Sequence, residues 1–135
     1  MASGNTGAMM KYPFPIRDRQ ADPCMEFDRR LGMQVLRLAT QAAVEEHRTR
    51  PVGQHSDALE RVLNYLRRGP MAGKLGILDR GTRERRFALL KFSGVRGEPP
   101  EILGDPELAS LEAAYHEIFL MRLEALRTAA REWQR

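Results

Sequence analysis

The chain has 135 residues, 42% of them hydrophobic and 30% charged, with 22 basic against 18 acidic side chains and a formal net charge of +4. That length supports one modest core and excludes two well-buried ones. Charges of both signs are mixed throughout, which sets the chain apart from a dedicated polyanion binder, and no stretch has the apolar length of a signal peptide or a membrane span.

Residues 1–25 carry Gly, Ser and Asn and then Pro13, Pro15 and Pro23, a composition that predicts an arm, flexible or laid on a partner. Cys24 is the lone cysteine, so neither an intramolecular disulfide nor a cysteine-pair zinc site is available, and a reducing cytoplasm is the expected compartment. A single domain is expected over residues 26–135. Phe27, Leu31, Val35, Leu38 and Ala42 recur at helical spacing and predict one amphipathic helix over 26–48, closed by Pro51 and Gly53. Ser56 or Asp57 caps a second, shorter helix with Leu59, Val62, Leu63 and Leu66 on one face and Gly69-Pro70 as its stop. The runs "KLGIL" (74–78) and "RFALLKF" (86–92), separated by the charged "DRGTRER", predict a β-hairpin. Gly94, Gly97, Pro99, Pro100, Gly104 and Pro106 then read as an extended linker, and Ser110 caps a last helix running to about Trp133. The order helix, helix, hairpin, helix defines a mainly helical α+β domain.

The stretch "GPMAGK" (69–74) resembles a phosphate-binding loop in composition only. Such a loop joins a strand to a helix whose free N–H groups face the phosphate. Here a helix ends and a strand begins, so the carbonyl end faces the turn. Only three residues separate Gly69 from Gly73, and Leu75 stands where a magnesium-binding Ser or Thr is required. His116-Glu117 starts like a zinc-protease helix, but position 120 is Leu where the second histidine is needed. His47 and His55 flank a proline turn and read as solvated or capping histidines. Cys24 has no basic or histidine neighbour, and no serine lies in a nucleophile elbow. Arg80, Arg83, Arg85 and Arg86 make the hairpin loop the best nucleic-acid candidate, although Asp79 and Glu84 interrupt it and a solvated loop is the favoured reading.

On a wheel at about 100° per residue the apolar positions of the last helix cover more than half the circumference, beyond the arc of about 100° that a core face requires. Met33, Leu36, Val44 and Tyr65 likewise fall off the main stripes of their helices, and Leu120 falls on the polar side of its own. Surplus apolar surface of this kind suggests a buried interface. Arg122 sits near the middle of the apolar arc, where an unpaired charge is costly, so it is expected to pair with a carboxylate such as Glu45 or with a partner chain. The competing reading is that its stem packs while its guanidinium reaches water.

Four segments in order, "RDRQAD" (17–22), "EEHRTRPVG" (45–53), "LERVLNYLRRGPMAGKLGI" (59–77) and "YHEIFLMRLEALR" (115–127), resemble the small subunit of the bacterial N,N-dimethylformamidases over about residues 17–131. The resemblance rests most on Arg61, Asn64, Tyr65, Pro70, Gly73 and Lys74, then on His116, Phe119, Leu120 and Arg122. It implies an accessory, non-catalytic chain of an amidohydrolase that splits N,N-dimethylformamide into dimethylamine and formate. It also implies a large catalytic subunit that holds a mononuclear iron through tyrosine and glutamate, with pairs of chains that dimerise further, and no metal or cofactor on the small chain. Tyr65, Arg68, Lys74, Leu120 and Arg122 are the candidate interface residues. A stand-alone nucleic-acid-binding protein using Arg80–Arg86 is the runner-up, and a small homodimer is a third possibility.

Overall fold

The chain order in a computed structural model is α1 (Ala21–Leu38), α2 (Gln41–Thr49), α3 (Asp57–Leu66), β1 (Leu75–Asp79), β2 (Phe87–Lys91), β3 (Glu101–Leu108) and α4 (Leu111–Trp133). The structure describes residues 21–68, 73–81 and 86–134. The α+β class expected from the sequence stands. Most of the N-terminal arm, the Gly69-Pro70 stop and the middle of the arginine loop lie outside the described residues.

Two expectations are corrected. The single helix over 26–48 is two helices, because Thr40 adopts an extended conformation and its side chain accepts from the Ala43 amide, capping α2. The break re-aims the chain, so that Ala43 and His47 turn inward while Phe27 and Ala42, counted on the predicted stripe, face outward. The first helix also starts at Ala21, since Pro23 in its opening turn lacks only an N–H that would have no intrahelical partner. The second correction concerns the linker, whose latter part is a third strand.

The sheet order is β1-β2-β3 and all pairing is antiparallel. In the hairpin Leu75 faces Lys91 and Asp79 faces Phe87. Between β2 and β3 the register slips: Leu89 faces Leu103, yet Phe87 faces Leu108, so two steps on β2 match five on β3. Gly104 and Pro106 fall in that bulge, where a proline withholds no ladder hydrogen bond. Their turn-like chemistry explains why the sequence reads as a linker.

Two cores share α4. Phe119, Leu123 and Leu126 pack with Val35, Leu59 and Val62 in a helical core. Ala114 and Ile118, one to two turns earlier, pack on Leu89 of the sheet. Serving two cores accounts for much of the wide apolar arc of α4. Leu36, Val44, Tyr65 and Leu120 also pack against the helical core, so most of the surplus inferred from the wheels is covered within the chain. Gly32 sets the crossing of α1: a Cβ there would lie 2.7 Å from the Tyr65 hydroxyl and 3.1 Å from the Trp133 ring. Only a bare backbone lets α3 and α4 approach this closely.

Candidate functional site

Of the stretch that raises the phosphate-loop question, Gly73 and Lys74 are among the described residues and lead into the sheet. Gly73 takes a φ of 80°, its amide donates to the Phe92 carbonyl at 2.7 Å, and the Phe92 amide donates to the Lys74 carbonyl at 2.8 Å. These bonds feed the chain into β1. The Lys74 Nζ then reaches back 3.1 Å to the Arg67 carbonyl at the end of α3. A cation placed on the electronegative end of a helix is favourable, so the lysine caps carbonyls.

Beside this turn Tyr65 and Arg68 are tied to α1. The Tyr65 hydroxyl lies 3.1 Å from both the Asp28 carbonyl and Oδ2, donating to them, and Arg68 donates to Asp28 Oδ1 at 3.2 Å. The Arg68 guanidinium also sits 5.3 Å above the Tyr65 ring. Burial, and then the Asp28 carboxylate, push the Tyr65 phenol up to about 12, so it acts as a hydrogen-bond donor throughout the physiological range.

Tyr65, Arg68, Lys74 and Arg122, four of the five residues singled out in the sequence, line one open groove of about 580 Å³. Lys91 and Asp28 complete its charged wall, with Leu66, Leu75 and Met121 as apolar floor. A second hollow of about 430 Å³ continues from it, sharing Leu66, Leu75 and Arg122. Leu120 does not line either one; it packs against the helical core.

Arg122 departs from its expected pairing. Glu45 is held by Arg48, whose Nε donates to both carboxylate oxygens at 3.0 and 3.1 Å, and among the described residues no carboxylate pairs with Arg122. The half-buried Arg122 guanidinium is instead pushed down from its ordinary value by burial and by Arg67. It therefore stands half-buried between two hollows, with no carboxylate paired to it among the described residues.

Three histidines far apart in the chain meet in the fold. His47 is buried and not solvated as expected; its ring stacks on Phe119 with centroids 4.2 Å apart, and its Nδ1 lies 2.9 Å from Nδ1 of His116. One ring must donate and the other accept, so the two Nδ1 atoms share a single hydrogen. His55 stands 6.0 Å from His47, and it does cap, since its Nε2 donates to the Arg50 carbonyl at 2.7 Å. Burial first, then His116, His55 and Arg67, push the His47 ring down to about 4. The part-buried pair joins α2 to α4. Among the described residues no group of three or more His, Cys, Asp or Glu side chains is arranged to hold a metal.

The arginine hairpin is partly neutralised within the chain. Glu107 of β3 accepts from Arg80 at 3.2 Å and from Arg86 at 3.3 Å. Arg83 and Arg85 lie outside the described residues. None of the described helices is long and apolar enough to cross a membrane.

These features define a small α+β chain whose convergent polar groups face an open, cationic groove. The family model of the N,N-dimethylformamidase alpha subunit matches residues 23–132. The chain is 35% identical to an N,N-dimethylformamidase alpha subunit from Alcaligenes sp, across 87% of this chain and 91% of that one. It is 32% identical to the alpha subunit from Paracoccus aminophilus, across 85% of this chain and 83% of that one. The chain belongs to the N,N-dimethylformamidase alpha subunit family.

Proposed function

We propose that this chain is the non-catalytic small subunit of a dimethylformamidase-type amidohydrolase, in which a larger partner hydrolyses N,N-dimethylformamide to dimethylamine and formate. The observation that carries the reading is the family match, which spans residues 23–132 and reaches proteins described as subunits. The site geometry supports it. The Tyr65 hydroxyl is engaged by Asp28, His47 and His116 are turned on one another, and the groove is lined by four cations and one engaged carboxylate. On this reading the iron and its tyrosine and glutamate ligands belong to the large chain, and the small chain stabilises that chain in pairs that dimerise further. Its compartment is the cytoplasm.

The reading is tested by assaying formate and dimethylamine release from N,N-dimethylformamide. The co-expressed pair is expected to be active and this chain alone inactive. Hydrolysis by the small chain in the absence of its partner would overturn the non-catalytic assignment. Arg80 and Arg86 already share Glu107, so nucleic-acid binding through the hairpin is not the favoured alternative.

A further inference from the structure

We propose that the groove lined by Arg68, Lys74, Lys91 and Arg122 is the seat of a carboxylate-bearing segment of the large subunit, with Arg122 as its central anchor; this rests on the subunit reading above. Four cations face the groove against one carboxylate, Asp28, and that carboxylate is already engaged by Arg68 and Tyr65. Lys74 is likewise committed to the Arg67 carbonyl and offsets the electronegative end of α3. Arg122 is thus the cation for which the described residues supply no carboxylate, and Lys91, opposite Glu101 across β2 and β3, is held in no ion pair among them.

The placement of these cations is selective. The chain has only three lysines among its 22 basic residues, and two of them, Lys74 and Lys91, line this groove. Arg122 is more telling, because it lies between two hollows, half-buried and with no carboxylate paired to it among the described residues, and a carboxylate arriving across an interface would offset the cost of burying its guanidinium. The chain's own remaining segments are not acidic. Residues 69–72 carry no charge, residues 1–20 set Lys11, Arg17 and Arg19 against the single Asp18, and residues 82–85 set Arg83 and Arg85 against Glu84. Segments of zero or positive net charge are poorly matched to a cationic seat, whereas an acidic stretch of a partner is complementary. The apolar floor of Leu66, Leu75 and Met121 would take the aliphatic part of such a segment.

The test uses the co-expressed, co-purified pair. A carbodiimide that joins amines directly to carboxylates is expected to link Lys91 or Lys74 to an Asp or Glu of the large chain. Acetylation of Lys91, an exposed side chain in the isolated fold, is expected to slow at least tenfold in the assembled pair relative to the same pair unfolded in urea. Arg122→Glu is expected to weaken association by roughly thirtyfold or more, and Lys91→Glu, exposed but opposite Glu101 across the sheet, to weaken it in the same direction while the isolated variant still unfolds cooperatively in urea. Arg131→Glu, on an exposed pair with Glu124, serves as the control and is expected to change association by less than about twofold. If the chains co-purify while Lys91 acetylates at its unfolded rate and Lys91→Glu assembles normally, the groove assignment fails and the subunit reading stands. If the chains do not associate, both fail. Carbodiimide links that run from Lys74 or Lys91 only to a second copy of this chain would also overturn the groove assignment.

Discussion

Gly32 shows how far a single side chain can govern this fold. In an exposed helix, alanine is favoured over glycine by about 1 kcal/mol. Here the added methyl would press on the Tyr65 hydroxyl and the Trp133 ring, which are fixed by Asp28 and by the helical core. Gly32→Ala is therefore expected to destabilise the chain by about 1–3 kcal/mol, as overpacking does, read as a lower urea midpoint; a raised midpoint would show that α1 can move away at no cost. The same scale separates what the sequence could and could not tell. Ser56 and Ser110 were legible as caps because their chemistry is local, and each does accept from the amide three residues on. His47, His55 and His116 were not legible as a cluster, since His47 and His116 are 69 residues apart and meet only through the packing of α2 on α4. Lys74 was legible as the entry from a helix exit into a strand, but its contact with the Arg67 carbonyl needed the turn geometry.

At the scale of elements, the division between α1 and α2 turns on Thr40. A continuous apolar periodicity conceals the break, because the signal is a single hydroxyl that competes for the Ala43 amide. Thr40→Ala is expected to cost about 1 kcal/mol, measured by denaturant unfolding, and unchanged stability would show that packing alone bends the chain. The strand β3 was hidden for the opposite reason: Gly104 and Pro106 carry turn chemistry but sit in a bulge. The α2–α4 contact makes stability depend on pH. The His47 ring ordinarily titrates near 6.5 and is held at about 4 in the fold, so the unfolded chain binds more protons between those values. Stability is thus full above about pH 6.5 and is lost as the pH falls toward 4, by about 2 kcal/mol at pH 5. Unfolding by urea at pH 7 and pH 5 checks this, with a flattened dependence expected for His47→Leu. Equal midpoints at the two pH values would mean that His47 can be protonated in place.

For the molecule as a whole, α4 is the organising element, holding the sheet with its first half and the helical core with its second. Leu123 is fully buried in that core, and Leu123→Ala is expected to cost about 2–5 kcal/mol, seen as a lower melting temperature of the isolated chain and of its complex alike. Melting of the complex at the wild-type temperature would show that the partner, and not the helical core, sets its stability. The broad arc of α4 was visible in the sequence, but not that two cores within one chain consume it, so apolar excess is a weaker pointer to a partner than Arg122. What most directly tests the central claim, that this chain works as the small subunit of an amide-hydrolysing pair, is native mass spectrometry of the chain co-expressed with the large subunit. The account predicts a 15.4 kDa chain bound in equal number to the large chain, with iron remaining on the large chain when the complex is dissociated. A 15.4 kDa species found only as a monomer or homodimer, with the large chain complete without it, would contradict the account.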